Sequence, residues 1–151
     1  MTRVDFYHLQ KSNIENTLPK LLEKAYSTGK KILVKVGNEN RVEFLNTHLW
    51  TYEEQSFLPH GTQKDGSPEV QPIWLTSQDE NPGNATILFL VDGAKCKVDD
   101  ILSFERVLNI FDGNDKDAVI WSREFWTQLK SQDNDCYYWQ QDDKGSWMQK
   151  S

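Results

Sequence analysis

Residues 18–36 read Leu-Pro-Lys-Leu-Leu-Glu-Lys-Ala-Tyr-Ser-Thr-Gly-Lys-Lys-Ile-Leu-Val-Lys-Val. Leu18, Leu21, Leu22 and Ala25 recur at helical spacing, and Gly29 stands where a left-handed residue closes a helix. Lys30 and Lys31 then lead into Ile32–Val36, a β-rich run. Ahead of the helix, Val4–Leu9 alternates weakly and is rich in Val, Phe and Tyr, the composition of a strand. Strand, helix and strand at this spacing suit a right-handed crossover between parallel strands. The helix start turns on a proline. Ser12 and Glu15 have capping-box spacing, but a helix begun at Ser12 would carry Pro19 inside it, where the ring clashes with the preceding turn. The expected start is therefore near Asn16–Leu18, with Pro19 in the first turn.

The pattern continues downstream. Gly37-Asn38 turns into a second helix over about Asn40–Leu49, with Val42, Leu45 and Leu49 on one face. Gly61–Pro72 is rich in Gly, Pro, Ser and charge and reads as an exposed loop. Ile73–Leu75 fits a short edge strand, because Pro72 cannot donate to a ladder. Asn81-Pro82-Gly83-Asn84 is a turn. Thr86–Val91 is nearly continuous in apolar residues, as expected of a strand buried on both faces of a parallel sheet. Asp99–Glu105 reads as a short helical turn and Arg106–Ile110 as a strand. Asp112–Asp117 opens a helix to about Ser131, and Tyr137–Gln140 is expected to be the last strand. The fold class is α/β: a Rossmann-like three-layer α/β/α arrangement with a mostly parallel sheet, expected as one domain over residues 1–151.

Composition narrows the function. The 151 residues carry 37% hydrophobic and 12% aromatic content, enough for a packed core, and a net charge of −6, which argues against non-specific binding along nucleic acid. Cys96 and Cys136 form no Cys-x-x-Cys pair, and no basic and apolar leader opens the chain, so a reduced, cytoplasmic protein is expected. No stretch approaches the roughly twenty apolar residues of a membrane helix.

Catalytic and cofactor signatures are weak. Gly37-Asn38-Glu39 follows a strand and opens a helix but holds one glycine, where a dinucleotide fingerprint needs several for close backbone approach. Asp112–Asp117 superficially resembles a calcium loop, yet Lys116 stands where a ligand belongs, and capping explains acidic residues at a helix start. His8, His48 and His60 lack metal-site spacing, and His60 after Pro59 reads as a residue that fixes a loop. The catalytic alternative is a small α/β enzyme acting on a nucleotide or phosphate ester through Asp92 or Asp112 at strand ends.

Two stretches invite a partner instead. Trp50–Gly61 gathers Trp50, Tyr52, Phe57, Leu58 and Pro59 where a plain loop needs only polar residues. Arg123, Trp126 and Lys130, spaced by three and four, share one helix face. That face is either solvated, with Trp126 covering the core edge, or a pocket for an acidic, apolar peptide.

The order of short motifs carries a resemblance. Val4-Asp5-Phe6-Tyr7-His8-Leu9, Leu21-Leu22-Glu23-Lys24-Ala25 before Gly29-Lys30, and Leu49-Trp50 before Ser56-Phe57-Leu58-Pro59-His60 are followed by Gln71-Pro72-Ile73 and Phe111-Asp112-Gly113. Ser122-Arg123-Glu124-Phe125-Trp126 and Tyr138-Trp139-Gln140-Gln141 complete the series. In these the chain resembles the chi subunit of bacterial DNA polymerase III, almost from end to end. The resemblance implies a Rossmann-like fold without cofactor or catalysis. It also implies an adaptor in DNA replication that links the clamp loader to the acidic, apolar C-terminal tail of single-stranded-DNA-binding protein, touching DNA only indirectly. The tail site maps to Arg123 and Trp126, with Lys130 as a further positive charge. The surface for the psi subunit, or a diverged equivalent, maps to Trp50, Phe57 and Pro59, with Phe57 as the expected exposed hot spot and Trp50 and Leu58 as anchors of the loop to its own core. Thr127 and Val119 stand where better-studied members carry Lys, implying a less basic pocket.

Overall fold

A computed structural model describes residues 2–52 and 58–151. Its strands are β1 (Arg3–Leu9), β2 (Ile32–Val36), β3 (Ile73–Thr76), β4 (Ile87–Val91), β5 (Arg106–Asp112), β6 (Asp135–Gln141) and β7 (Trp147–Gln149). Helices α1 (Ile14–Tyr26), α2 (Glu39–Thr51) and α3 (Lys116–Ser131) connect them, with short 3₁₀ turns at Pro68–Val70 and Val98–Ser103. One sheet runs in the order β3-β2-β4-β5-β1-β6-β7. Every neighbouring pair is parallel except β6 and β7.

Alternation along the central strands builds two cores. Tyr7, Leu9, Val34, Val36, Phe89 and Ile110 meet α1 and α2 on one face. Val4, Phe6, Leu88, Leu90, Val107 and Phe111 meet α3 and the Val98–Ser103 turn on the other. The result is the expected three-layer α/β/α arrangement. As anticipated, β4 is buried at every position.

Three readings of the sequence need correction. Helix α1 starts at Ile14, with the Asn13 side chain accepting from the Asn16 N–H, so Pro19 lies inside the helix. The ring removes the donor that would bond the Glu15 carbonyl. His48 of α2 replaces it, with Nε2 2.6 Å from the Glu15 oxygen. The proline is tolerated because a neighbouring helix supplies the missing donor. The segment after His60 is not fully exposed either: Gly61 and Thr62 are buried, and Gly61 bridges in parallel to Trp74. Its N–H donates to the Ile73 carbonyl and its own carbonyl accepts from Leu75, which extends the sheet beyond β3. Finally, β6 is not last, because a turn with Gly145 at φ 84° reverses the chain into β7.

The start of α1 is also tied to the end of the neighbouring strand β6. The Gln141 side-chain oxygen accepts from the backbone N–H groups of Gln10, Lys11 and Ser12, at 3.0–3.2 Å. One side chain thus satisfies three donors in the β1–α1 turn.

Candidate functional site

Helix α3 is positioned by burial and by its cap. The Asp115 carboxylate accepts from the backbone N–H groups of Asp117 and Ala118, and Asp112 accepts from that of Asn114. The acidic run therefore serves backbone capping. Phe125 and Leu129 are buried in the core, while Arg123 and Lys130 are exposed and Trp126 is half-buried between them.

Of the three residues, Trp126 and Lys130 are in contact, and Arg123 lies about one turn earlier on the same helix. The Lys130 ammonium lies over the Trp126 ring, 5.7 Å from its centre. Trp126 meets Phe6 edge-on at 5.3 Å and Tyr138 at 6.0 Å. An apolar wall fixed by strands β1 and β6 thus carries Lys130 over it, with Arg123 close enough to act electrostatically on Tyr138. Beside it, Arg123, Glu124, Thr127 and Gln128 line an open groove of about 340 Å³. Thr127 gives its hydroxyl proton to the Arg123 carbonyl, 3.0 Å away, and adds no charge.

The sequence did not point to His8 and Tyr138 as members of this neighbourhood. The phenol oxygen of Tyr138 is 2.6 Å from His8 Nδ1, and both rings contact Phe111. Burial, followed by the charge of Arg123, holds His8 below its ordinary value against the opposing pull of Asp112. Burial raises Tyr138, and Arg123 opposes that shift. The available signal was the strand period, which puts His8 on the same face as Phe6, toward α3.

The Trp50 region divides. Leu58 is buried, as expected of an anchor, and His60 holds the loop, its ring nitrogens 2.6 Å and 3.0 Å from the Leu58 and Asn46 carbonyl oxygens. Trp50 packs on His60 with ring centres 4.1 Å apart, yet is 49% exposed, so it both braces the loop and presents a surface. Pro59 is half-buried beside it. Phe57 lies outside the described residues.

The carboxyl ends of the strands form a polar cleft of about 530 Å³, bordered by Glu15, Asn38, Arg41, Asp92 and Asp112. Arg41 fills much of its chemistry. It bonds Asp92 at 2.8 Å and Glu15 at 2.6 Å, which raises its own pKa, the Asp92 bond contributing most. Gly37 has a different role from phosphate approach: a Cβ there would lie 1.8 Å from the Asp92 carbonyl oxygen, so it lets two turns touch. Burial pushes the Cys96 and Cys136 thiols up to about 12 and about 11, which keeps them protonated and unreactive. Among the described residues, no group of three or more His, Cys, Asp or Glu side chains is arranged to hold a metal ion. No described helix is long and apolar enough to cross a membrane.

The family model described as DNA polymerase III chi subunit, HolC, matches residues 1–136. The chain belongs to the DNA polymerase III chi subunit family. Within this family, it is similar to the probable DNA polymerase III subunit chi of Rickettsia prowazekii, 31% identical over 154 residues that cover 97% of this chain and 91% of the relative. It is also similar to DNA polymerase III subunit chi of Pseudomonas aeruginosa, 29% identical over 87 residues, or 56% of this chain and 59% of that one. The family model covers α3 and both stretches singled out for partner binding.

Proposed function

We propose that the chain is a non-catalytic, cytoplasmic adaptor of the DNA polymerase III holoenzyme. It links the clamp loader to the acidic, apolar C-terminal tail of single-stranded-DNA-binding protein during replication. The observation that supports this reading is the Lys130 ammonium lying over the Trp126 ring on α3, the helix that also presents Arg123 to solvent. A carboxylate pairs with Arg123, Lys130 adds a second cation, and an apolar side chain packs on the Trp126 ring. The second contact, with psi or a diverged equivalent, uses Trp50, Pro59 and Phe57. Phe57 enters here on the family resemblance alone.

A disordered tail loses chain entropy when it binds, so one site of this size gives an affinity on the order of micromolar. Several tails on one oligomer raise the effective affinity. A pull-down from the source cell tests the pairing. The adaptor recovers single-stranded-DNA-binding protein, and deletion of that partner's terminal residues abolishes recovery. Undiminished recovery of the truncated partner rejects the tail site. Turnover of a phosphate-ester panel that is lost on substituting Asp92 or Asp112 rejects the adaptor reading in favour of an enzyme.

A further inference from the structure

We propose, resting on the reading of Arg123 and Trp126 as a tail site, that Tyr138 and His8 are further recognition residues there. The Tyr138 hydroxyl, backed by His8, donates to a peptide carboxylate once the imidazole has taken up a proton.

The geometry joins this pair to the Trp126 wall. Tyr138 pairs with Phe6 in the parallel register of β1 and β6, and both rings meet Trp126. His8 is pinned from behind, since a Cβ on Gly113 would fall 2.1 Å from Nε2, and the ring fits only because residue 113 has no side chain. Its Nδ1 is thereby committed to the Tyr138 oxygen. The charged or titratable groups facing the imidazole are Arg123 on α3, Asp112 at the end of β5 and Tyr138 on β6.

Hydrogen-bond direction supplies the mechanism. In the neutral tautomer that carries its proton on Nε2, Nδ1 can only accept, and the phenolic proton then points at His8 and away from an incoming anion. A carboxylate that pairs with Arg123 cancels the positive charge that disfavours imidazolium. His8 then takes one proton from solvent, and Nδ1–H donates to the phenol oxygen. The phenolic proton turns outward to the carboxylate. No covalent bond other than the new N–H forms. Because linkage is reciprocal, a peptide that promotes protonation is itself bound more tightly as protons become available.

The probe is a labelled peptide of three aspartates followed by two apolar residues with a free C-terminus. It is titrated against the full chain between about pH 8 and about pH 6, where its carboxylates stay ionised and His titrates. Wild-type affinity rises severalfold on acidification, toward about tenfold for each unit by which binding raises His8. Tyr138→Phe keeps the ring contacts, still binds, and loses most of this dependence. The imidazole resonances of His8 move toward the protonated form on peptide addition at about pH 6, the acid end of this range. Wild-type binding that does not change with pH, or an unchanged slope in Tyr138→Phe, overturns the role of the pair while leaving the Arg123 site intact. Absence of peptide binding at every pH overturns the Arg123 site itself, and this proposal with it.

Discussion

Asp5 carries a carboxylate with no exposed side-chain surface, in the middle of a strand otherwise built for the core. It accepts from Arg3 through two nitrogens, from Arg106 Nε at 2.9 Å and from Trp139 Nε1 at 3.0 Å, which ties β1 to both its neighbours. Arg3 also lies over Tyr137, 4.4 Å from the ring centre. An isolated buried charge is costly, and these four bonds offset that cost. Asp5→Asn removes the charge and leaves both guanidinium groups without a counter-ion. A fully buried pair broken this way costs about 3–5 kcal/mol. Here the arginine side chains are 45% and 34% exposed, so water screens them and the expected loss is about 2 kcal/mol in urea unfolding. A loss below about 0.5 kcal/mol, the size of an ordinary surface substitution, would mean that the cluster is incidental. Arg3 and Asp5 share a strand face that the sequence displays. Arg106 and Trp139 stand 101 and 134 residues from Asp5, and no local pattern announces them. His60 was legible because its partners are near in sequence.

At the scale of elements, Pro19 shows how a correct rule led to a displaced boundary. An interior proline does remove a helical bond, but the rule does not include a donor from another helix. His48 provides one, and Arg41, about two turns earlier on α2, bonds Glu15 itself. Phe44 between them stacks on His48 and lies beneath the Arg41 guanidinium, so this flank of α2 is organised around the first turns of α1. Burial alone would raise the pKa of Glu15, but the Arg41 bond and nearby positive charge bring it net below the ordinary value. His48→Ala should cost about 1–2 kcal/mol, since a carbonyl loses its donor. In a Pro19→Ala background, where a backbone N–H can bond Glu15 again, the same substitution should cost less. Thermal or urea unfolding of the four proteins gives the coupling. Strictly additive effects would mean that His48 does not substitute for the missing donor. Strand β7 went unread for a different reason: three residues of Trp, Met and Gln are too few to show a period of two, and their role lies in the pairing of Trp147 with Gln141 and its ring contact with Tyr7.

At the scale of the molecule, the layer architecture follows from alternating apolar patterns, which made the α/β class legible. The strand order did not follow. β1 and β2 are consecutive in the chain, yet β4 and β5 lie between them, and those insertions depend on contacts made much later in the sequence. The candidate site shows the same division. Arg123, Trp126 and Lys130 follow from helical spacing on one element, whereas His8 and Tyr138 join them through strand pairing across 130 residues. The central claim is that this composite face of α3 receives an acidic, apolar tail. Its most direct test is a fluorescence titration of the C-terminal peptide of the source organism's single-stranded-DNA-binding protein against wild type and Arg123→Ala, with melting temperature measured in parallel. Loss of a charge-assisted bond worth about 1.5–3 kcal/mol predicts affinity weakened by about tenfold to a hundredfold. The exposed position of Arg123 predicts an unchanged melting temperature. Equal affinity of the two proteins for the peptide would contradict the assignment.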